Sequence, residues 1–289
     1  MSIRAPLQPD QDPSRWDGHA DAYERVFEPL TTAFARQALD RLEPLAGLDL
    51  LDVAAGAGGT ALEALRRGTR VTAVDASAAM VRRIAARAPG VAAHRMDGAA
   101  LALPDGGFDA TISSFGVVLF PDPAAGMAEL RRVLRPGGRV AVVAWTEPHR
   151  YALATRLHEA IIAVRGTFPP AGEPPAQLRF VEPERLHALV ADAGFDDVSI
   201  LPLAAELHAS SAVELAASLG LARLRSRHAV VAGLARPGLP GGAEGVCRPA
   251  GGGPGTRPRP LGRRRPCGPC RAALTVVPKP SIGGRKSNA

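Results

Sequence analysis

The sequence predicts an α/β protein built on a doubly wound, mostly parallel sheet with helices on both faces. Two observations lead there. Short apolar runs alternate with helical stretches from Leu48 to Trp145, and Gly, Pro or Asp punctuates nearly every junction. That order implies right-handed crossovers between parallel strands. Sheets of this kind take their ligands at the carboxyl ends of the strands.

The elements follow in order. Residues 17–42 read as helical, with Tyr23, Val26, Phe27, Leu30, Phe34 and Leu42 along one face and a kink expected at Pro29. Leu48–Val53 is the first strand, and a glycine-rich turn leads into a helix from Thr60 to Arg67. Arg70–Val74 is the second strand. Ser77 is placed to cap a helix that runs to Ala88 before Pro89-Gly90. Val91–Arg95 and Phe108–Ser113 give the third and fourth strands, the latter after the turn Pro104-Asp105-Gly106-Gly107. Asp122-Pro123 opens a helix to Leu134, with Pro where no donor is lost. Pro136-Gly137-Gly138 then turns the chain into a fifth strand, Arg139–Trp145. Beyond it come a helix (151–165), a Pro-rich connector, a helix (182–193) closed by Gly194, a strand (197–203) and two helices (211–220 and 222–235).

Composition divides the chain near residue 235. After it stand eleven Lys and Arg against one acid, Glu244, so the tail carries +10 and the body −3 within a total of +7. A mildly acidic body excludes a nucleic-acid binder by charge. Gly, Pro and Arg dominate residues 236–270, which read as low-complexity and disordered. All three cysteines lie in the tail. Cys267-Gly268-Pro269-Cys270 spells a redox loop, but it follows an arginine run rather than opening a helix after a strand. With Cys247 the only other thiol and no histidine there, no metal site is expected. Loss of acids with an excess of Arg, Pro and Gly is what an alternative frame of GC-rich DNA produces. The reading is that the chain leaves its ancestral frame near 225–245, with 272–277 as a last strand. No apolar run approaches the roughly 20 residues of a membrane span, and residues 1–15 carry no apolar leader segment. A cytoplasmic location is the expectation.

The chemistry concentrates in Leu50-Leu51-Asp52-Val53-Ala54-Ala55-Gly56-Ala57-Gly58-Gly59, where a strand ends in an acid and small residues turn directly into a helix. Small side chains let a ligand lie against the backbone, and helix N-terminal N–H groups point at it. Gly56, Gly58 and Ala61 also fit the dinucleotide pattern G-x-G-x-x-A, so the loop alone leaves a nicotinamide enzyme open. Asp75 ends the second strand, where a carboxylate can take both hydroxyls of a ribose. Asp97, after the third strand, adds a carboxylate able to accept from an adenine amino group. Two further units, Leu103–Asp109 and Arg132–Gly138, complete the series.

In this order the motifs of residues 16–146 resemble the class I S-adenosylmethionine-dependent methyltransferases, the Rossmann-like group that includes quinone-ring and natural-product methyltransferases. The family pattern D-x-G-x-G-x-G reads here as Asp52 to Gly58, with Ala54 at the first glycine. The resemblance implies S-adenosylmethionine as cofactor, with Asp52 and Gly56 by its methionine part, Asp75 on the ribose, and Asp97, Gly98 and Ala99 around the adenine. Ala54, Gly58 and Ala76 join the expected cofactor-binding residues. Ser114 and Phe115 would end the fourth strand near the sulfonium, and Tyr23 would close over the cofactor. A domain spanning 1–235 would then hold a cofactor-binding core of about 45–146, with a helical insertion of about 147–193 and the leading helix forming the acceptor pocket. The partner would be a small-molecule acceptor. His149 and His19 are weak candidates for a general base, since a solvated loop histidine is the more ordinary reading of each. An NAD(P)-dependent oxidoreductase and a non-catalytic cofactor-binding homologue are the alternatives. The former leaves Asp97 without a task. Nothing fixes the acceptor or the oligomeric state.

Overall fold

The structure is a computed structural model that describes residues 7–146, 159, 162–163, 166, 175–209 and 265–278, for 207–209 and 265–278 the backbone only. His149, the helices expected at 211–235 and all but three residues of the helix expected at 151–165 lie outside the described residues.

A 3-10 turn (Pro9–Gln11) and helices α1 (Pro13–Asp17) and α2 (Ala20–Ala22) lead into a π turn (Tyr23–Phe27) and α3 (Glu28–Arg41). The kink expected at Pro29 takes the form of this π turn. Glu28 N–H donates to Tyr23 O, one residue further back than in an α-helix, directly before the proline that cannot donate. The alternating body follows: β1 (Asp49–Val53), α4 (Gly59–Arg66), β2 (Arg70–Asp75), α5 (Ala78–Arg87), β3 (Ala92–Arg95), β4 (Phe108–Ser114), α6 (Pro123–Val133), β5 (Leu134–Trp145), α7 (Pro183–Asp192), β6 (Ser199–Ala209) and β7 (Arg265–Pro278). The Ser77 hydroxyl accepts from Met80 N at 3.2 Å, and Asp122 accepts from Ala125 N at 3.0 Å, so both helix starts are capped as their sequences require.

The sheet runs β3-β2-β1-β4-β5-β7-β6, with the first five strands parallel and β7 antiparallel to both neighbours. Order reverses between β1 and β4. Leu50 packs with Phe34, Ala110, Ile112 and Trp145 on one face, while Leu51 packs with Met127, Leu130, Val140 and Val142 on the other. Every second residue of β1 thus feeds a different core, as a sheet covered twice demands.

Three extents differ from expectation. Strand β5 begins at Leu134, because the Pro136-Gly137-Gly138 turn is a bulge within it: the register passes from Phe108↔Leu134 to Ala110↔Arg139. Strand β6 reaches Ala209, beyond the 203 expected, since β7 pairs along its length. β7 begins at Arg265, before the apolar run, so Cys267–Cys270 fall inside a strand and not at a helix start. Among the described residues no helix is long and apolar enough to cross a membrane.

The two motif units that close the series in the sequence hold the fold together away from the ligand-binding edge. Arg132 donates to Leu101 O, Leu103 O and Glu129 and pairs with Asp105, while Arg135 bridges Asp49 and Asp109 at the amino ends of β1 and β4.

Candidate cofactor site

The carboxyl ends of β1, β2 and β4 open into a cavity of about 570 Å³, roofed by the N-terminal helical segment. That size suits a small-molecule site. Its lining includes Tyr23, Ala54, Gly56, Asp75, Ala76, Asp97, Gly98, Ser114 and Phe115, which brings together nine of the residues predicted from sequence.

The loop after β1 is shaped by left-handed backbone. Ala54 has φ 57°, Gly56 φ 58° and Gly58 φ 97°. Gly56 is held to glycine twice over, since a Cβ there would lie 3.0 Å from the Tyr23 ring. Ala54 adopts the same conformation with a methyl group, which strains the backbone. A Cβ on Gly98 would overlap Phe120 and Val53, so the turn after β3 also needs glycine.

Asp75 organises the loop. Its Oδ2 accepts from Gly56 N at 2.9 Å and its Oδ1 from Ser77 N at 2.8 Å. An ionised carboxylate offers about four acceptor positions, so each oxygen keeps capacity toward the cavity. Burial pushes its pKa up to about 6. Asp97 lies at the rim, where its Oδ1 accepts from Ala99 N at 2.9 Å. Ala99 therefore shapes the turn from behind and does not line the cavity.

Asp52, Gly58 and His19 do not reach the cavity either. Asp52 is 1% exposed beneath the loop, and burial, then the nearby Asp75 charge, pushes its pKa up to about 8. An acid at a strand end that faces the cavity and one that lies under it look alike in sequence. Gly58 stands at the start of α4, its backbone against Ile84. His19 Nδ1 lies 2.7 Å from Arg15 O and is spent on its own helical segment.

The roof is fastened to the body by charge. Asp17 accepts from Ser77 Oγ at 2.6 Å and Ala79 N at 2.9 Å, capping α5 from outside its own chain segment. Arg83 pairs with Asp21 and Glu24, and Arg87 with Glu24 at 3.4 Å and Glu28 at 2.6 Å. Glu28, almost fully buried, also accepts from Gly59 N at 2.8 Å, at the start of α4. Tyr23 thereby sits over Gly56, with its hydroxyl 3.1 Å from Thr31 Oγ1 and its ring edge-on to Trp16 at 5.9 Å. These fastenings have no local signature, for each joins residues roughly thirty to sixty apart in the chain. Toward β5 the wall turns aromatic: Phe115 stacks on Trp145 at 4.3 Å, and Phe115 itself has φ 61°.

Such a sheet, with a left-handed small-residue loop and a carboxylate at the same edge one strand over, has the architecture of an α/β protein that binds a nucleoside cofactor. A family model described as "Methyltransferase domain" matches residues 51–142. The chain is 33% identical over 217 residues to the nocamycin O-methyltransferase of Saccharothrix syringae, covering 69% of this chain and 78% of that one. It is 29% identical over 207 residues to the demethylmenaquinone methyltransferase of Renibacterium salmoninarum, covering 66% and 86%. Several other curated relatives are spanned over only 38% to 63% of their length. Among solved structures, phosphoethanolamine N-methyltransferase 2 of Haemonchus contortus, in complex with phosphomonomethylethanolamine and S-adenosylhomocysteine, superposes with TM-score 0.53. The identity is 16%, over 94% of this chain and 60% of that one. The chain belongs to the class I S-adenosylmethionine-dependent methyltransferases.

Proposed function

We propose that this chain methylates a small, mostly apolar acceptor of the quinone-like or natural-product type, held between the N-terminal roof and the ends of β4 and β5. One observation carries the reading. A single cavity presents a carboxylate-and-glycine cradle at Gly56, Asp75, Asp97 and Gly98 on one side and the Phe115–Trp145 wall on the other. The residues fit S-adenosylmethionine: Asp75 keeps acceptor capacity for two ribose hydroxyls, Asp97 lies where an adenine amino group can donate, and the Ser114 hydroxyl has no partner among the described residues. Tyr23, Ala54 and Ala76 would complete the cofactor's surroundings.

When bound, the cofactor supplies a methyl group already activated on a sulfonium. The protein therefore has to align the acceptor and keep water out rather than generate a strong nucleophile. The roof over Gly56, pinned by Arg83 and Arg87, is the water-excluding element. His19 does not line the cavity, so the reading assigns it no proton transfer.

The test is binding followed by turnover. S-adenosylhomocysteine should bind in the micromolar range while NAD does not, and the reverse result rejects the reading. Mass spectrometry of a small-molecule panel incubated with methyl-labelled cofactor should then show label in an apolar acceptor. The names of two relatives, an O-methyltransferase of nocamycin and a demethylmenaquinone methyltransferase, suggest the first compounds for that panel.

A further inference from the structure

Asp10 is 4% exposed and lines the cavity, yet neither carboxylate oxygen has a hydrogen-bond partner among the described residues. A buried, unpaired carboxylate is costly to keep. The turn that carries it, in contrast, is tied on three sides. Asp10 O accepts from Trp16 Nε1 at 3.0 Å, and Gln11 Nε2 donates to Phe120 O at 3.5 Å. Ala176 N donates to Gln8 Oε1 at 2.7 Å, fixing the residue before the turn to the acceptor-side segment. The 3-10 turn is thus fixed in place while its one charged side chain is left unsatisfied. Asp10, Asp75 and Asp97 are the carboxylates that line the cavity, and with Asp75 assigned to the ribose and Asp97 to the adenine in the reading above, Asp10 is the one left without a task.

Resting on the methyltransferase reading above, we propose that Asp10 recognises the methyl acceptor. Its carboxylate takes a hydrogen bond from an O–H or N–H donor on a neutral ligand whose apolar body lies against Phe115, Phe120 and Trp145. Sequence gives no hint of this. Asp10 stands in a Pro-, Gln- and Asp-rich leader with no motif around it, and only the fold brings that leader over the sheet.

Both tryptophans of the chain, Trp16 and Trp145, line the cavity, so intrinsic fluorescence reports its occupancy. The experiment titrates the full-length protein, saturated with S-adenosylhomocysteine, with 2-naphthol and with 2-methoxynaphthalene, the same ring without a donor. The wild type should prefer 2-naphthol by about tenfold or more, as a hydrogen bond to a charged group implies. In Asp10→Leu the preference should fall to within twofold, with affinity for S-adenosylhomocysteine unchanged. Asp10→Asn, isosteric and with one acceptor oxygen, should fall between the two and gives the readout if Asp10→Leu does not fold.

Three results would overturn the proposal: a wild type that binds neither probe or shows no preference, a preference that survives in both variants, or a drop of more than about tenfold in S-adenosylhomocysteine affinity in the variants, which would assign Asp10 to the cofactor. A wild type that does not bind S-adenosylhomocysteine at all refutes the function proposed above instead, so the two failures are distinguishable.

Discussion

Removing the Asp75 carboxylate tests the cofactor site at its centre. In Asp75→Ala the Gly56 and Ser77 N–H groups lose their acceptor, at 2.9 and 2.8 Å, and in the proposed site the ribose hydroxyls would lose theirs. A hydrogen bond to a charged group contributes about 1.5–3 kcal/mol, and water entering the cavity can replace part of it. Affinity for S-adenosylhomocysteine should therefore fall by about 1–3 kcal/mol, roughly 5- to 150-fold. Titration followed by tryptophan fluorescence reads this directly. Protonation makes the same point without a mutation. With its pKa raised to about 6 by burial, Asp75 carries its proton in mildly acid solution and can then accept through fewer lone pairs. Wild-type affinity should rise as pH passes upward through about 6, and Asp75→Ala should lack that rise. An affinity unchanged within twofold, in a variant whose circular dichroism is native, would remove Asp75 from the site.

Other consequences can be checked with stability measurements. Burial pushes the pKa of Asp52 up to about 8 in the folded state, against about 3.9 for an ordinary aspartate. The folded chain therefore binds the extra proton between these limits, and the group's contribution to stability is lost as pH rises toward 8. Asp52→Asn should gain on the wild type in urea denaturation between pH 5 and pH 8; a constant difference would contradict the burial argument. Ala54→Gly relieves a left-handed alanine and should stabilise by about 1 kcal/mol, and a loss of stability would show that the methyl group packs usefully. Arg87→Met strips the ion partner from the buried Glu28 carboxylate, so about 3 kcal/mol should be lost, with Glu28→Gln in the same chain recovering part of it. Resequencing the locus checks the tail. A shifted frame near 225–245 should appear as a change of codon usage, and uniform usage across the boundary sinks that reading.

The parallel half of the sheet was legible because each strand is a short run of Val, Ala, Leu or Ile between Gly, Pro or Asp breaks. The helix caps at Ser77 and Asp122 were legible for the same local reason. Strand β5 was cut short at Arg139 because Pro-Gly-Gly reads as a boundary, whereas a bulge accommodates it without ending the pairing. The extent of β6 depends on β7, which lies far along the chain, so no local pattern could set it. The motif units around Asp105 and Arg132 helped to select the family, yet in the structure they pin the loop after β3 and the amino ends of the strands. They report the fold, and only through it the site.

The site itself divides along the same line. Residues on the loops after β1, β2, β3 and β4 were readable, since the strand ends that carry them are fixed by hydrophobic pattern, and five such loops must converge on one edge of a parallel sheet. Burial direction was not readable: Asp52 and Asp75 both end strands, yet only Asp75 opens toward the cavity, because Asp52 ends on the side covered by the α4 turn and by Glu28. The roof was the least readable part. Tyr23 could be placed because the family resemblance pointed to it, but Asp10, Asp17 and Glu28 acquire their surroundings only when the N-terminal segment folds back across α5 and the end of β4. If this division is general to the chain, cofactor binding should be robust to changes in the leader, while acceptor choice should be sensitive to them. In the proposed site the loops that would hold the nucleoside belong to the sheet, and the surface that would select the acceptor belongs to a segment held by a handful of ion pairs and hydrogen bonds.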